Sequence, residues 1–187
     1  MKQPHRHGPL AYGIELWIIR IRDKLRPPRR ILSAQSDLRD GMTVLDFGCG
    51  PSGFSVAAAR IVGPQGRVHA YDVRSQALDA VRQAAAHARV DNIALVNEAG
   101  LQKIPMESVD MALLYDVLHG YLEPDWTKSV LTGICRVLKP EGRLSVRDHH
   151  LDDARLSAGI AGSRLFRLAE KQGDTLLFIK TGVESEQ

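Results

Sequence analysis

The chain has 187 residues, of which 44% are hydrophobic and only 5% aromatic, with a formal net charge of +3. That length and apolar content suit one well-buried domain whose interior is built from Ala, Leu, Val and Ile, as in layered α/β folds. Cys49 and Cys135 are the two cysteines, spaced for neither a zinc knuckle nor a redox dithiol, so neither disulfides nor a thiolate metal site is implied. No apolar run approaches the length of a membrane span, and Met1 to Pro9 lacks the apolar stretch of a signal peptide. The composition therefore predicts a soluble, cytoplasmic protein.

From Leu10 to Arg26, Ile14, Trp17, Ile18, Ile21 and Leu25 recur at helical spacing, and Pro27-Pro28 ends the helix. The same stretch carries Arg20, Arg22, Lys24, Arg26, Arg29 and Arg30 against Asp23. This is either a solvated basic face or a surface for an anion, nucleic acid or membrane. A second short helix is expected after the prolines, ending near Arg39-Asp40-Gly41. Thr43 to Phe47 then reads as a buried strand.

Helix and strand patterns alternate from there. Phe54 to Val62 is helical, Arg67 to Asp72 a strand, Ser75 to Arg89 a helix with Ser75 as its N-cap, and Ile93 to Asn97 a strand. Val109 to Tyr115 supplies a fourth strand and Trp126 to Leu138 a helix closed by Lys139-Pro140-Glu141-Gly142. Arg143 to Asp148 is the fifth strand. Leu165 to Glu170 and Leu176 to Lys180 are joined by Lys171-Gln172-Gly173-Asp174, a turn suited to an antiparallel hairpin. The pattern predicts a Rossmann-like three-layer α/β sandwich with a seven-stranded, mostly parallel sheet and a C-terminal antiparallel hairpin. A single domain is expected, with residues 1–40 as a helical cap and 41–187 as the core.

Val44 to Ser55 (VLDFGCGPSGFS) runs from a strand through glycines into a helix. Glycines let a backbone approach a ligand closely, and the following helix offers unpaired N–H groups to it. Gly48, Gly50 and Gly53 also satisfy G-x-G-x-x-G, so a NAD- or FAD-dependent oxidoreductase is a rival reading. Asp46 discriminates: at the strand end its carboxylate repels a pyrophosphate and attracts a cationic amino acid.

With those residues in view, Asp46-Phe47-Gly48-Cys49-Gly50-Pro51-Ser52-Gly53 resembles the first motif of the class I, Rossmann-like S-adenosylmethionine-dependent methyltransferases of the small-molecule type. The similarity continues through Asp72, Glu98, Ser108 to Ala112, Tyr115-Asp116-Val117-Leu118-His119 and Arg136 to Leu144. One departure is Ser52, with Gly53 after it, where the family usually has its third glycine. The resemblance implies S-adenosyl-L-methionine as cofactor, with Asp46 toward its methionine part and the Gly48-Cys49-Gly50 backbone against it. Asp72 would take the ribose hydroxyls, at the distance from the glycines where the ribose acid of such folds sits. Glu98, where the family usually has Asp, and Ala99 would meet the adenine, while Val73, Tyr115 and Leu118 are expected to line the cleft.

Methyl transfer needs alignment and exclusion of water, and a base only where the acceptor must lose a proton. His119 is the first candidate for that base, ahead of Asp148, His149 and His150 at the next strand end. His149 and His150 would point to opposite faces of a strand, so no metal site is expected. An Asn/Asp-Pro-Pro-Tyr motif is missing at the fourth-strand end and no Pro-Cys nucleophile exists, which disfavours amino-group and pyrimidine C5 methylation of nucleic acid. The expected partner is a small-molecule acceptor. Its pocket is expected beneath the leading helix with Tyr12 and Trp17, left open or completed by a second subunit in a homodimer. The alternative is a non-catalytic or partner-dependent cofactor-binding subunit that works on RNA or a protein.

Overall fold

A computed structural model describes residues 9–51, 53–118 and 123–181. Seven strands form one sheet in the order β3-β2-β1-β4-β5-β7-β6. β1 (Thr43–Phe47), β2 (Arg67–Tyr71), β3 (Ile93–Val96), β4 (Val109–Tyr115) and β5 (Leu138–Arg147) are parallel neighbours. β7 (Thr175–Lys180) returns antiparallel beside β5, and β6 (Phe166–Gln172) pairs antiparallel on the outside. The chain therefore builds outward from β1 to β3 and then crosses back to lay β4 on the other side of β1. That reversal is where open parallel sheets leave a crevice at their strands' C-terminal ends.

Alternation along the strands sends successive side chains to opposite faces. Val44, Met111 and Leu113 pack with Leu32 of α2 (Pro28–Gln35) and with Phe54, Ala58 and Val62 of α3 (Phe54–Val62). Leu45, Leu114 and Leu144 pack on the other side with Leu131 and Ile134 of α6 (Pro124–Val137) and Ile160 of α7 (Asp153–Ala161). Burial on both faces explains why β1 and β4 are nearly continuous apolar runs.

Several local boundaries differ from the sequence-based expectation. α2 stops at Gln35 because the Ser36 hydroxyl donates to the Leu32 carbonyl (2.6 Å) and the chain turns extended there. In α4 (Ser75–Ala88), Arg74 is the N-cap and Ser75 the first helical residue. An unexpected short helix, α5 (Glu98–Leu101), follows β3, with the Asn97 side chain accepting from the Gly100 N–H (3.0 Å). β5 begins five residues early, since Leu138 pairs with Val109 before Lys139 to Gly142 bulges out and pairing resumes at Arg143 with Met111. The hairpin turn is tighter than expected, with Gln172 pairing Thr175 and Gly173 at φ 62°.

Candidate functional site

Strand ends along one edge of the sheet bring the sequence-predicted residues together. Asp46 lies next to last in β1, in register with Ala70 of β2 and Leu113 of β4. After it the chain turns through Gly48 (φ 71°) and Gly50 (φ 52°), a left-handed backbone that a side chain would strain. A Cβ on Gly48 would lie 2.7 Å from Val117 Cγ2, so any side chain here would also have to displace Val117. The Cys49 N–H donates to the Tyr71 carbonyl (2.9 Å), tying the turn to the end of β2. Its thiol is buried, and burial together with the nearby Asp46 and Asp72 carboxylates pushes its pKa up, which keeps it unreactive.

Asp46 is 3% exposed. Among the described residues its carboxylate accepts one side-chain hydrogen bond, from the Ser55 hydroxyl at the start of α3 (2.5 Å), and pairs with no cation. Burial pushes its pKa up to about 6, the Ser55 hydrogen bond opposes the shift, and the Asp72 charge adds to it. A buried carboxylate held in this way favours a cationic neighbour.

Asp72, 4% exposed, follows β2 and grips the turn: the Gly50 N–H donates to its Oδ2 (2.9 Å). Its Oδ1 accepts from the Arg74 backbone N–H (2.9 Å) and from Arg74 Nε (3.3 Å). Arg74 was not legible as a site residue, yet its guanidinium lies on the carboxylate expected to meet a ribose. Val73, between them, is 51% exposed at the same edge. Glu98 and Ala99 are exposed at the start of α5, and the Glu98 charge helps raise the pKa of Tyr71, behind the contribution of burial.

Tyr115 is directed elsewhere than expected. Its ring packs edge-on to Phe54 (4.9 Å between centroids), and its hydroxyl bonds to Ser145 Oγ (2.8 Å), so its side chain belongs to the core beneath α3 and not to the cleft. Burial raises its pKa to about 12 against these hydrogen bonds. Leu118 is likewise a core residue, 1% exposed. His119 lies outside the described residues, as does the side chain of Tyr12.

The β4 and β5 ends carry a polar chain that connects to α1 (Pro9–Leu25). Asp116, at φ 54°, accepts at Oδ1 from the His149 backbone N–H (3.1 Å) and ring Nδ1 (2.7 Å), and at Oδ2 from Arg22 Nη1 of α1 (2.9 Å). Burial works to raise the Asp116 pKa, but the His149 bonds and the Arg22 charge outweigh it, so it lies below the usual range. His149 Nε2 sits 2.7 Å from Arg147 Nη2. A guanidinium only donates, so Nε2 accepts and the ring proton sits on Nδ1. Both ring nitrogens are thereby committed to Asp116 and Arg147, which makes His149 a brace between β4 and β5. Arg147, 3% exposed, also pairs with Asp174 of the hairpin turn (2.9 Å). Asp148 Oδ1 accepts from the exposed His150 backbone N–H (3.0 Å).

The first turn of α3 receives a contact from α1 too. Asp23 Oδ2 accepts from the Gly53 N–H (2.8 Å), so α1 stands over the glycine turn, held by Asp23 on one side and Arg22 on the other. Trp17 is 64% exposed and does not enter a pocket beneath the helix.

A family model described as "methyltransferase domain" matches residues 38–175. The chain is 28% identical, over a 175-position alignment that covers 81% of it, to an uncharacterized 37.1 kDa protein in transposon TN4556 of Streptomyces fradiae. It is 30% identical over 112 residues, 59% of its length, to a demethylmenaquinone methyltransferase of Listeria monocytogenes. The chain spans about half the length of these relatives, 48% and 46% respectively. Its fold matches the crystal structure of a SAM dependent methyltransferase from Aquifex aeolicus with a TM-score of 0.70, at 21% identity, covering 88% of this chain and 96% of that one.

Proposed function

We propose that this chain, which belongs to the methyltransferase domain family, transfers a methyl group to a small-molecule acceptor at the C-terminal edge of its sheet. The cofactor that goes with this family and fold is S-adenosylmethionine. The observation that carries the reading is Asp46, a carboxylate 3% exposed, paired with no cation among the described residues, and placed directly before a glycine turn. The residues present fit the cofactor. Asp46 attracts its cationic amino-acid end, Gly48 and Gly50 leave room for it, and Asp72 offers a carboxylate to vicinal hydroxyls.

When bound, the cofactor supplies an electrophilic methyl group on a sulfonium for in-line displacement. The chain then has to bind, align and exclude water. Asp46 holds the amino-acid end, and Asp72 takes the ribose hydroxyls once the Arg74 guanidinium gives way. Glu98 and Ala99 meet the adenine at the start of α5. Asp23 and Arg22 hold α1 over the glycine turn and the β4 end, shielding the reacting centre. His119, next after the buried Leu118, is the proposed group that takes the proton leaving the acceptor. In a dinucleotide reading, the Asp46 charge would oppose a pyrophosphate, which tells against an oxidoreductase.

The relatives named as demethylmenaquinone methyltransferases make a hydroxylated aromatic ring the first acceptor class to try. The test is transfer of label from methyl-labelled S-adenosylmethionine to a panel of reduced naphthoquinones, catechols, total RNA and protein extract. Label in a low-molecular-weight aromatic product supports the proposal. Label confined to RNA or protein overturns the small-molecule reading, and no transfer despite cofactor binding would identify a partner-dependent subunit instead.

A further inference from the structure

We infer that α1 docks the protein onto the surface of an anionic lipid bilayer, through an apolar stripe that faces away from the domain and basic side chains that end it. On a helix advancing about 100° per residue, Ile14, Trp17, Ile18, Ile21 and Leu25 fall within roughly one 100° sector. Asp23 falls opposite them, and it is Asp23 that reaches inward to the Gly53 N–H, while Arg22 on the flank of the stripe and Arg26 just past the helix end bind Asp116 and Asp174. Polar contacts from Arg22 and Asp23, with the half-buried Ile19 on the same side as Asp23, thus hold the helix to the domain, and its other apolar row is left outward. The consequence is visible in the exposures: 56% for Ile14, 64% for Trp17, 54% for Ile18, 41% for Ile21 and 76% for Leu25. A contiguous apolar row of this size marks a surface that something covers.

Charge says what covers it. Lys24, Arg26, Arg29 and Arg30 are exposed at the C-terminal end of the stripe and just beyond it. Among the described side chains from Ile14 to Ser36, the carboxylate is Asp23, and it is turned inward onto Gly53 and Arg22. An apolar face with Trp and Ile, ended by exposed Lys and Arg, fits the boundary between acyl chains and anionic headgroups. No helix among the described residues is long and apolar enough to cross a membrane, so the helix lies in the interface plane. Docking in this orientation puts the glycine turn and the β4 end directly behind the helix, on the side of the domain nearest the bilayer.

The test is co-sedimentation of the whole chain with vesicles of phosphatidylglycerol and phosphatidylcholine, beside pure phosphatidylcholine vesicles, with neither cofactor nor acceptor present. Its outcome is therefore independent of the methyl-transfer reading. Binding to the anionic vesicles is expected, weakened by salt. Trp17 fluorescence, read in a Trp126→Phe background, should shift to the blue and be quenched by bromine-labelled acyl chains. The Ile18→Ser, Ile21→Ser double variant should lose binding. Lys24→Glu with Arg29→Glu should weaken it by at least about 25-fold, since each basic side chain at such a surface contributes about fivefold. Unchanged affinity for S-adenosylhomocysteine would show that these variants are folded, and the Trp17 signal in the otherwise native chain decides the matter without them. Absence of vesicle binding, or binding that leaves Trp17 in water, would overturn the inference. So would a dimer in solution that the serine variant dissociates, because a second copy would then be what covers the stripe.

Discussion

Asp46→Asn removes a negative charge from a side chain that is 3% exposed and whose pKa burial has pushed from 3.8 up to about 6. The folded protein keeps the Asp46 proton until about pH 6, whereas the unfolded chain gives it up near 3.8. Between those values the folded state binds more protons, so wild-type stability falls as pH rises through that window. A shift of about 2 units at 1.36 kcal/mol each makes the lost stability about 3 kcal/mol above pH 6. The variant does not titrate there. Whatever constant penalty its amide carries, the stability of Asp46→Asn minus that of wild type should climb by about 3 kcal/mol from pH 4 to pH 7.5. At ~2–4 °C per kcal/mol for a chain of this size, that is a divergence in Tm of roughly 6–12 °C. Thermal and urea unfolding of both proteins at pH 4, 5, 6 and 7.5 reads it. Affinity for S-adenosylhomocysteine moves the opposite way at pH 7.5. It falls by about 10- to 150-fold in the variant, from a charged hydrogen bond of ~1.5–3 kcal/mol. In the wild type, affinity should drop about tenfold per pH unit below 6 as Asp46 takes up its proton. A stability difference independent of pH, together with unchanged affinity, would refute the reasoning.

Gly48→Ala should destabilise the fold by about 1–3 kcal/mol and abolish cofactor binding, because its Cβ would lie 2.7 Å from Val117 Cγ2 at φ 71°; urea unfolding and calorimetry check both. Arg74→Ala frees Asp72 Oδ1 from a guanidinium that is one-third exposed (33%) and should tighten S-adenosylhomocysteine binding by no more than about fivefold; weaker binding would show that Arg74 contacts the cofactor. Asp23→Ala removes the acceptor of the Gly53 N–H and should cost about 1 kcal/mol, with faster hydrogen exchange at Gly53 and along α1.

The site was legible where chemistry and chain order coincide. Asp46, Gly48 and Gly50 sit within five residues at a strand-to-helix turn, and Asp72 follows the next strand, so the periodic pattern together with the family resemblance singled them out. What escaped depends on contacts distant in sequence. Asp23 with Gly53, Arg22 with Asp116, and His149 with Asp116 are pairings that no local pattern encodes. Tyr115 looked like a cleft residue because it ends β4, but strand alternation sends its ring to the α3 side, where Phe54 and Ser145 take it. The α1 stripe shows the limit of periodicity most clearly. A 3.6-residue repeat identifies an apolar face but does not say which way it points, and here Arg22 and Asp23 turn it outward.

Calorimetric titration of the protein with S-adenosylhomocysteine, run beside NAD, tests the central claim most directly. Micromolar binding of S-adenosylhomocysteine at one site per chain, weakened about 10- to 150-fold in Asp46→Asn and with no heat from NAD, is the predicted result. No binding of S-adenosylhomocysteine, or a preference for NAD, would contradict the account of the glycine turn and of everything built on it.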